Sequence, residues 1–323
     1  MVTDHAVAGA AFAHRVERLV GSLRQVIRGK DEVLRQALVC LLAEGHLLIE
    51  DVPGTGKTSL ARALAASIRL EWSRIQFTPD LLPSDVTGVS VFNQGTGTFE
   101  FRRGPVFAHV VVGDEINRAS PKTQSALLEV MEERTVTTDA VIYKVPRPFM
   151  VVATQNPIDM EGTYPLPEAQ LDRFLMRLAV GYPTAEAEAE VLRHEKDGAT
   201  VSTLTPVIEP DDLLAMIDHV KTVEVAPALE DYIVGLVRET RHAPEVRLGA
   251  SPRGTLGLLR AARAWAAVGD RSFVTPDDVK ACAAAVLCHR ILLHPEAELR
   301  GRTAADVVEK ALQTVPVPRH VAR

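Results

Sequence analysis

The stretch Glu50-Asp51-Val52-Pro53-Gly54-Thr55-Gly56-Lys57-Thr58 limits what this 323-residue chain can fold into more than any other feature. It follows the apolar run His46-Leu47-Leu48-Ile49-Glu50 and precedes a helix-like segment from Thr58 to Ile68. The order is therefore buried strand, glycine-rich turn, helix, the context that a phosphate-binding loop requires. Glycines let backbone N–H groups curl around a β-phosphate, and the helix N-terminus adds partial positive charge. Lys57 can bridge β- and γ-phosphates, and the Thr58 hydroxyl, followed by Ser59, can ligate Mg²⁺. The strict pattern begins with glycine where this chain has Asp51, and an acid so close to phosphates is expected to point away.

Two more apolar runs end in polar residues. Val110-Val111-Val112-Gly113-Asp114-Glu115 describes a strand that delivers paired carboxylates to its C-terminal end. In a parallel sheet that is the edge where the phosphate loop lies. Asp114 there would hold Mg²⁺, and Glu115 would orient and activate the attacking water. Phe149-Met150-Val151-Val152-Ala153-Thr154-Gln155-Asn156-Pro157 repeats the arrangement. Asn156 is a candidate to hold the lytic water or sense a γ-phosphate; an Asn-Pro turn is the plainer alternative.

Strands alternate with helices up to about residue 180, with Phe107 to Gly113, Phe149 to Ala153, Phe174 to Val180 and, more weakly, Trp72 to Phe77 as candidates. This predicts a parallel α/β sheet covered on both faces. After Pro183 the pattern is helical, with runs near 185–195, 211–219, 228–241, 252–267, 276–291 and 303–313 and no convincing strand. Pro210-Asp211-Asp212, Ser251-Pro252 and Thr275-Pro276-Asp277-Asp278 mark helix starts. The expected division is an α/β domain over 1–185 and a smaller helical domain over 186–323, with a loose Pro-rich tail from Val315. Within the first domain, Leu81 to Phe107 reads as an insert built around the turn Asn93-Gln94-Gly95-Thr96-Gly97, and Glu133 to Arg147 as a second hairpin around Thr138-Asp139-Ala140.

Composition removes several classes. A hydrophobic fraction of 46% and a charged fraction of 24% exclude disordered and collagen-like chains. A net charge of −6 and 5% aromatics weigh against a protein whose main business is gripping nucleic acid. Cys40, Cys282 and Cys288 fit neither a zinc pair nor a disulfide framework and read as buried thiols in a reducing cytosol. The N-terminus lacks the basic region of a signal peptide, and no apolar run reaches the roughly 18–20 residues of a membrane span. The ten histidines form no zinc motif, and the absence of an Asn-Lys-x-Asp stretch argues against a Ras-type GTPase.

Taken together, the phosphate loop, the Asp-Glu strand, the strand ending in Asn and the helical C-terminal part resemble an AAA+ ATPase: a parallel-sheet P-loop core followed by an all-helical lid. Four stretches resemble the MoxR family in particular: residues 50–58, Asp-Glu-Ile-Asn-Arg-Ala (114–119), Ala-Thr-Gln-Asn-Pro (153–157) and Glu-Gly-Thr-Tyr-Pro-Leu-Pro-Glu-Ala-Gln-Leu-Asp-Arg-Phe (161–174). Asp51 in place of glycine is a feature of that family. The resemblance implies that Asn156 is sensor 1, that Arg173 is the arginine finger reaching into a neighbouring subunit, and that Arg253, in Gly-Ala-Ser-Pro-Arg, is sensor 2 on the lid. Planar, permanently charged guanidinium groups suit phosphate oxygens. Arg118 is a second candidate for a contact between subunits. Val26-Ile27-Arg28-Gly29 resembles the segment that lies against adenine, which adds Ile27 to the nucleotide set. The two hairpins resemble inserts that face the pore of ring ATPases, a plain surface hairpin being the alternative.

The resemblance further implies a cytoplasmic, Mg²⁺-dependent ATPase that works as a homo-oligomeric ring, a hexamer, and remodels or activates client proteins, often with a von Willebrand factor A domain protein. A nucleic-acid-stimulated ring motor is the alternative, kept open by Arg134, Lys144 and Arg147 in the second hairpin. A non-hydrolysing nucleotide switch fits poorly with the intact Asp114-Glu115 pair and Arg173, and a small-molecule kinase lacks an acceptor site after residue 185.

Overall fold

The structure is a computed structural model that describes residues 2–51, 56–156, 163–182, 184–186, 188–189 and 200–318. Predicted features at 52–55, 157, 161–162, 183, most of 185–195 and the last five residues lie outside the described part. In chain order the first part comprises α1 (Val2–Val26), α2 (Asp31–Leu42), β1 (Leu47–Glu50), α3 (Lys57–Ser67), β2 (Trp72–Gln76), α4 (Pro83–Thr87), β3 (Gly88–Asn93), β4 (Thr98–Arg103) and β5 (Val110–Asp114). It continues with α5 (Pro121–Glu133), β6 (Thr135–Thr138), β7 (Val141–Lys144), β8 (Met150–Gln155), α6 (Glu168–Leu171) and β9 (Met176–Leu178). The second part comprises α7 (Pro210–Lys221), α8 (Pro227–His242), β10 (Val246–Leu248), α9 (Pro252–Val268), α10 (Pro276–Leu287), β11 (Leu292–Leu293), α11 (Pro295–Leu299) and α12 (Ala304–Thr314).

Five strands form one sheet in the order β2-β5-β8-β1-β9, and every pairing is parallel. The central strands are continuous apolar runs because both of their faces are covered. Leu47, Ile49, Val110, Val112, Met150 and Val152 enter a core shared with α1, α2, α3 and the second part's helices. Leu48, Val111, Val151 and Ala153 enter a second core with Phe77, Leu127, Leu128, Phe149 and Phe174. Alternation along each strand thus supplies both layers. The first core runs from the sheet into Leu213, Ile233, Leu258 and Val286, so the change of architecture near residue 185 is not a break in packing.

Helix starts follow their signals. Ser120 caps α5 by accepting from the Thr123 N–H, with Pro121 in the first turn. Asp278 returns to the Thr275 N–H at 2.7 Å at the start of α10. Both inserts are antiparallel hairpins, β3–β4 and β6–β7. The second closes on Asp139 and Ala140, both at positive φ as a two-residue turn requires. The hairpins meet through Phe101 stacked on Tyr143, with ring centroids 4.3 Å apart. The helical part also carries one small antiparallel pair, β10–β11. Runs of three and two residues are too short to show a period in sequence.

Candidate active site

Because β1, β5 and β8 are parallel and in register, the segments that follow them emerge at one edge of the sheet. Gly56 caps α3 at φ +86°, a conformation that favours glycine. Ile27 lies over it: its Cδ1 would be 3.9 Å from a Cβ placed on Gly56. Lys57 follows, half-buried; burial lowers its pKa, opposed by the negative charges of Asp51, Asp114 and Glu115. Its Nζ donates to the Asp51 carbonyl oxygen at 2.5 Å. The Asp51 side chain is buried, and its carboxylate accepts from the Gly181 N–H at 2.5 Å, just past β9. That bond turns the acid toward the neighbouring strand. Ser59 is half-buried in the first turn of α3. Residues 52–55 of the predicted loop lie outside the described residues.

The Thr58 hydroxyl stands 3.1 and 3.2 Å from the two carboxylate oxygens of Asp114. Adjacent ligands of an octahedral Mg²⁺ with bonds of about 2.0–2.1 Å are about 2.9 Å apart, so these hard oxygen donors suit that ion. Among the described residues no group of three or more His, Cys, Asp or Glu could hold a metal by itself. Glu115 comes next, at φ +59°, with its side chain 40% exposed. Asn156, half-buried, follows β8, and its carbonyl accepts from Asn117 Nδ2 at 3.4 Å.

Three residues that the sequence did not single out complete this edge. Thr154, buried at the end of β8, accepts from the Glu115 N–H at 3.0 Å and reaches Asp114 at 3.4 Å. Arg74 on β2 donates from Nε to Asp114 at 2.7 Å, and Gln76 on the same strand donates to Glu115 at 3.3 Å. The signal was present in Arg74-Ile75-Gln76, where polar residues alternate on an edge strand paired in register with β5. Arg118 also reaches Glu115, at 2.8 Å, so within one chain it pairs with the carboxylate beside it.

Arg173 and Arg253 are elsewhere. Both pair with Glu132 near the end of α5, Arg173 at 2.9 Å. They line a pocket of about 530 Å³ together with Gly45, His46, Arg134, Arg260 and Arg263. Gly45 and His46 precede β1, so this pocket lies at the N-terminal edge of the sheet, opposite Lys57 and Asp114. The Nε atoms of Arg173 and Arg263 are buried and find no hydrogen-bond partner among the described residues. The C-terminal edge thus holds the lysine, the Thr58 hydroxyl and two carboxylates paired with Arg74 and Arg118, and the N-terminal edge gathers Arg134, Arg173, Arg253, Arg260 and Arg263 around Glu44, Glu132 and Asp172.

Comparison with known proteins agrees with this architecture. Residues 46–176 match the ATPase family associated with various cellular activities (AAA), and residues 238–311 match the AAA lid domain. The chain is 48% identical to the uncharacterized protein YeaC of Bacillus subtilis over 97% of its own length and 96% of that protein. It is 42% identical to the chaperone MoxR1 of Mycobacterium tuberculosis, covering 96% of this chain and 84% of the relative. The crystal structure of a chain from Cytophaga hutchinsonii assigned as an ATPase superposes with a TM-score of 0.92 at 37% identity, covering 98% and 99% of the two chains. Among the described residues no helix is long and apolar enough to cross a membrane. The AAA match, a matching lid and relatives of this closeness make the chain a member of the MoxR family of AAA+ ATPases, with ATP hydrolysis as its chemistry.

Proposed function

We propose that copies of this chain assemble head to tail into a ring, a hexamer, hydrolyse Mg²⁺-bound ATP at sites shared between neighbours, and use the cycle to remodel client proteins. The observation that carries this reading is the separation of the two charge sets. Lys57, Thr58, Asp114 and Glu115 stand at one edge of the sheet, and Arg173 and Arg253 at the other. A head-to-tail contact would bring the arginines of one copy against the nucleotide of the next, and such a contact closes into a ring when its rotation allows.

In that site the backbone of the loop and Lys57 bind the phosphates, while Thr58 and Asp114 hold Mg²⁺, which supplies charge neutralisation at the γ-phosphate. Ile27 lies on the adenine side. Glu115 takes the proton of the attacking water once Arg118 and Gln76 release it, and Asn156 orients that water or senses the γ-phosphate. Arg173 and Arg253 of the next copy stabilise the charge that develops. Residues 1–185 act as the ATPase core and 186–323 as the lid. A protein client is supported by the name chaperone carried by one relative and by the hairpins, where Phe92, Phe99 and Ile142 are 50%, 71% and 65% exposed. The net charge of −6 gives no general attraction for a phosphate backbone.

The test is subunit mixing. Arg173→Ala and Lys57→Ala proteins should each be nearly inactive alone. Mixed, they should recover a measurable share of the ATPase rate, because a Lys57→Ala copy supplies the arginine to an Arg173→Ala copy with an intact loop. Absence of recovery in rings that demonstrably exchange subunits would overturn the shared site.

A further inference from the structure

The N-terminal edge contains a buried charge that the proposed chemistry does not use. Arg290, in the turn after α10, has a side chain only 3% exposed. A guanidinium carries five N–H donors, and burying it is tolerable only when they are matched. Here nearly all go to the segment around Arg173. Nε donates to Asp172 Oδ1 at 2.8 Å. Nη2 donates to the carbonyls of Asp172 at 3.1 Å and Phe174 at 2.6 Å. Nη1 donates to the carbonyl of Leu175 at 3.2 Å, and to that of Val286 on α10. This irregular link between α6 and β9 is therefore gripped from the helical part on both sides of Arg173.

The second oxygen of Asp172 leads to the other arginine. Asp172 Oδ2 accepts from the Ser251 hydroxyl at 2.8 Å. The same Ser251 oxygen caps α9 by accepting from the Arg253 N–H at 3.1 Å. One carboxylate thus ties Arg290 of the helical part, the backbone beside Arg173 and the first turn of α9 beside Arg253. Glu132 joins the two arginine side chains at their far ends. Deep packing alone would be served as well by apolar residues, whereas a fully matched buried ion pair holds one arrangement.

We infer that Asp172, Arg290 and Ser251 are positioning residues that lock Arg173 and Arg253 into a single unit, so that displacement of the helical part moves both arginines together. This rests on the reading that those arginines serve ATP hydrolysis.

The test uses Ser251, where the two bonds can be separated. Ser251→Asp keeps a good helix cap but removes the hydroxyl donor and sets a second carboxylate against Asp172. Ser251→Thr keeps both. Misplacing a catalytic group by about 1 Å can lower a rate by about 10²-fold. Ser251→Asp should accordingly lose about 10-fold or more in kcat, with KM for ATP changed less than about twofold, and Ser251→Thr should match the wild type. In an Arg173→Ala/Arg253→Ala background the same Ser251→Asp change should have almost no further effect, because groups acting as one unit are not additive. A wild-type kcat in Ser251→Asp would overturn the inference. So would a full, additive loss in the background lacking both arginines. This cycle is read within one protein preparation, so it stands or falls separately from subunit mixing, whose failure would count against the shared site instead.

Discussion

At the C-terminal edge of the sheet each proposed functional side chain ends a strand or follows one in the chain: Lys57 and Thr58 open α3 after the loop that leaves β1, Asp114 ends β5 with Glu115 next, and Asn156 follows β8. At the N-terminal edge the chain gathers its polar groups from segments far apart in sequence: Glu44 and His46 before β1, Glu132 and Arg134 around the end of α5, Arg173 before β9, Arg253 to Arg263 along α9. A parallel sheet explains the contrast. All strands end on one edge, so short motifs converge there without tertiary help. The opposite edge receives helix ends and returning loops, and only folding shows which of them meet.

The same contrast decides how much could be read in advance. Strands β1, β5 and β8 were legible because a run of buried β-branched and aliphatic residues has few alternatives. β5 begins at Val110 rather than Phe107, since the Phe107 N–H closes a turn onto Gly104 and the ladder is joined only at His109 and Val110, which bond Glu71. β2 was weakly marked because an edge strand leaves Trp72, Arg74 and Gln76 exposed. In the site, Asp114 and Glu115 announce themselves by adjacency, whereas Arg74 and Thr154 act on them only through strand register. Arg173 and Arg253 were reached by family resemblance alone. Nothing in local sequence pairs them with Glu132, or Asp172 with Arg290, which are separated by 118 residues.

If the two edges do different work, breaking each should leave the other intact. Arg173→Ala is expected to lower kcat by about 10³-fold, the scale of an arginine finger, and Glu115→Gln by about 10²-fold through loss of the general base. ATP affinity measured in the absence of turnover should stay within a few-fold of wild type for both, while Lys57→Ala should weaken it severely. Loss of binding in Arg173→Ala would mean that the arginine edge serves its own chain's nucleotide, and the comparison would collapse.

Acid should loosen the N-terminal edge first. His46 is buried between Phe149, the Val151 N–H, which donates to Nδ1 at 3.0 Å, and the Met131 carbonyl, 3.0 Å from Nε2. These partners require a neutral ring protonated on Nε2. Burial, aided by the charges of Arg134 and Arg260, lowers its pKa to about 4 from the ordinary 6.5. The unfolded chain therefore binds this proton more tightly, so stability declines as pH falls below 6.5 and levels off below about 4. Between pH 7 and pH 5 the loss should be about 2 kcal/mol. Glu44 in the same pocket adds its loss only lower, between 4.5 and about 2; burial raises its pKa, but hydrogen bonds from Arg147, Lys221 and Arg134 more than offset that. Denaturant unfolding at the two pH values checks this: in His46→Gln the decline across the interval should be smaller by about 2 kcal/mol, the remainder belonging to His289 and His109, whose pKa values burial also lowers. An equal decline in His46→Gln would place the acid sensitivity elsewhere.

The smallest expected effect concerns a guanidinium that, like Arg118, sits on the carboxylate side of this division. Arg74 lies at the carboxylate edge, with its Nε 2.7 Å from Asp114 Oδ2, on the same carboxylate that would ligate Mg²⁺ beside Thr58. A cation arriving at that oxygen must share it with Arg74 or displace it, and one arriving at Oδ1, 3.1 Å from the Thr58 hydroxyl, still shares the carboxylate's charge with Arg74. The Arg74 side chain is 52% exposed, so water and salt screen the pair and its worth is about 1 kcal/mol or less. Removing it should therefore ease Mg²⁺ binding by no more than about 5-fold, since about 1.4 kcal/mol is needed for a factor of ten. Arg74→Met keeps the length of the side chain without its charge. At saturating ATP and constant ionic strength, the free Mg²⁺ that gives half-maximal ATPase rate should fall by two- to about five-fold, with the maximal rate little altered. A rise in that requirement would show that Arg74 helps to hold the Mg²⁺-nucleotide, and the carboxylate edge would then need an arginine of its own.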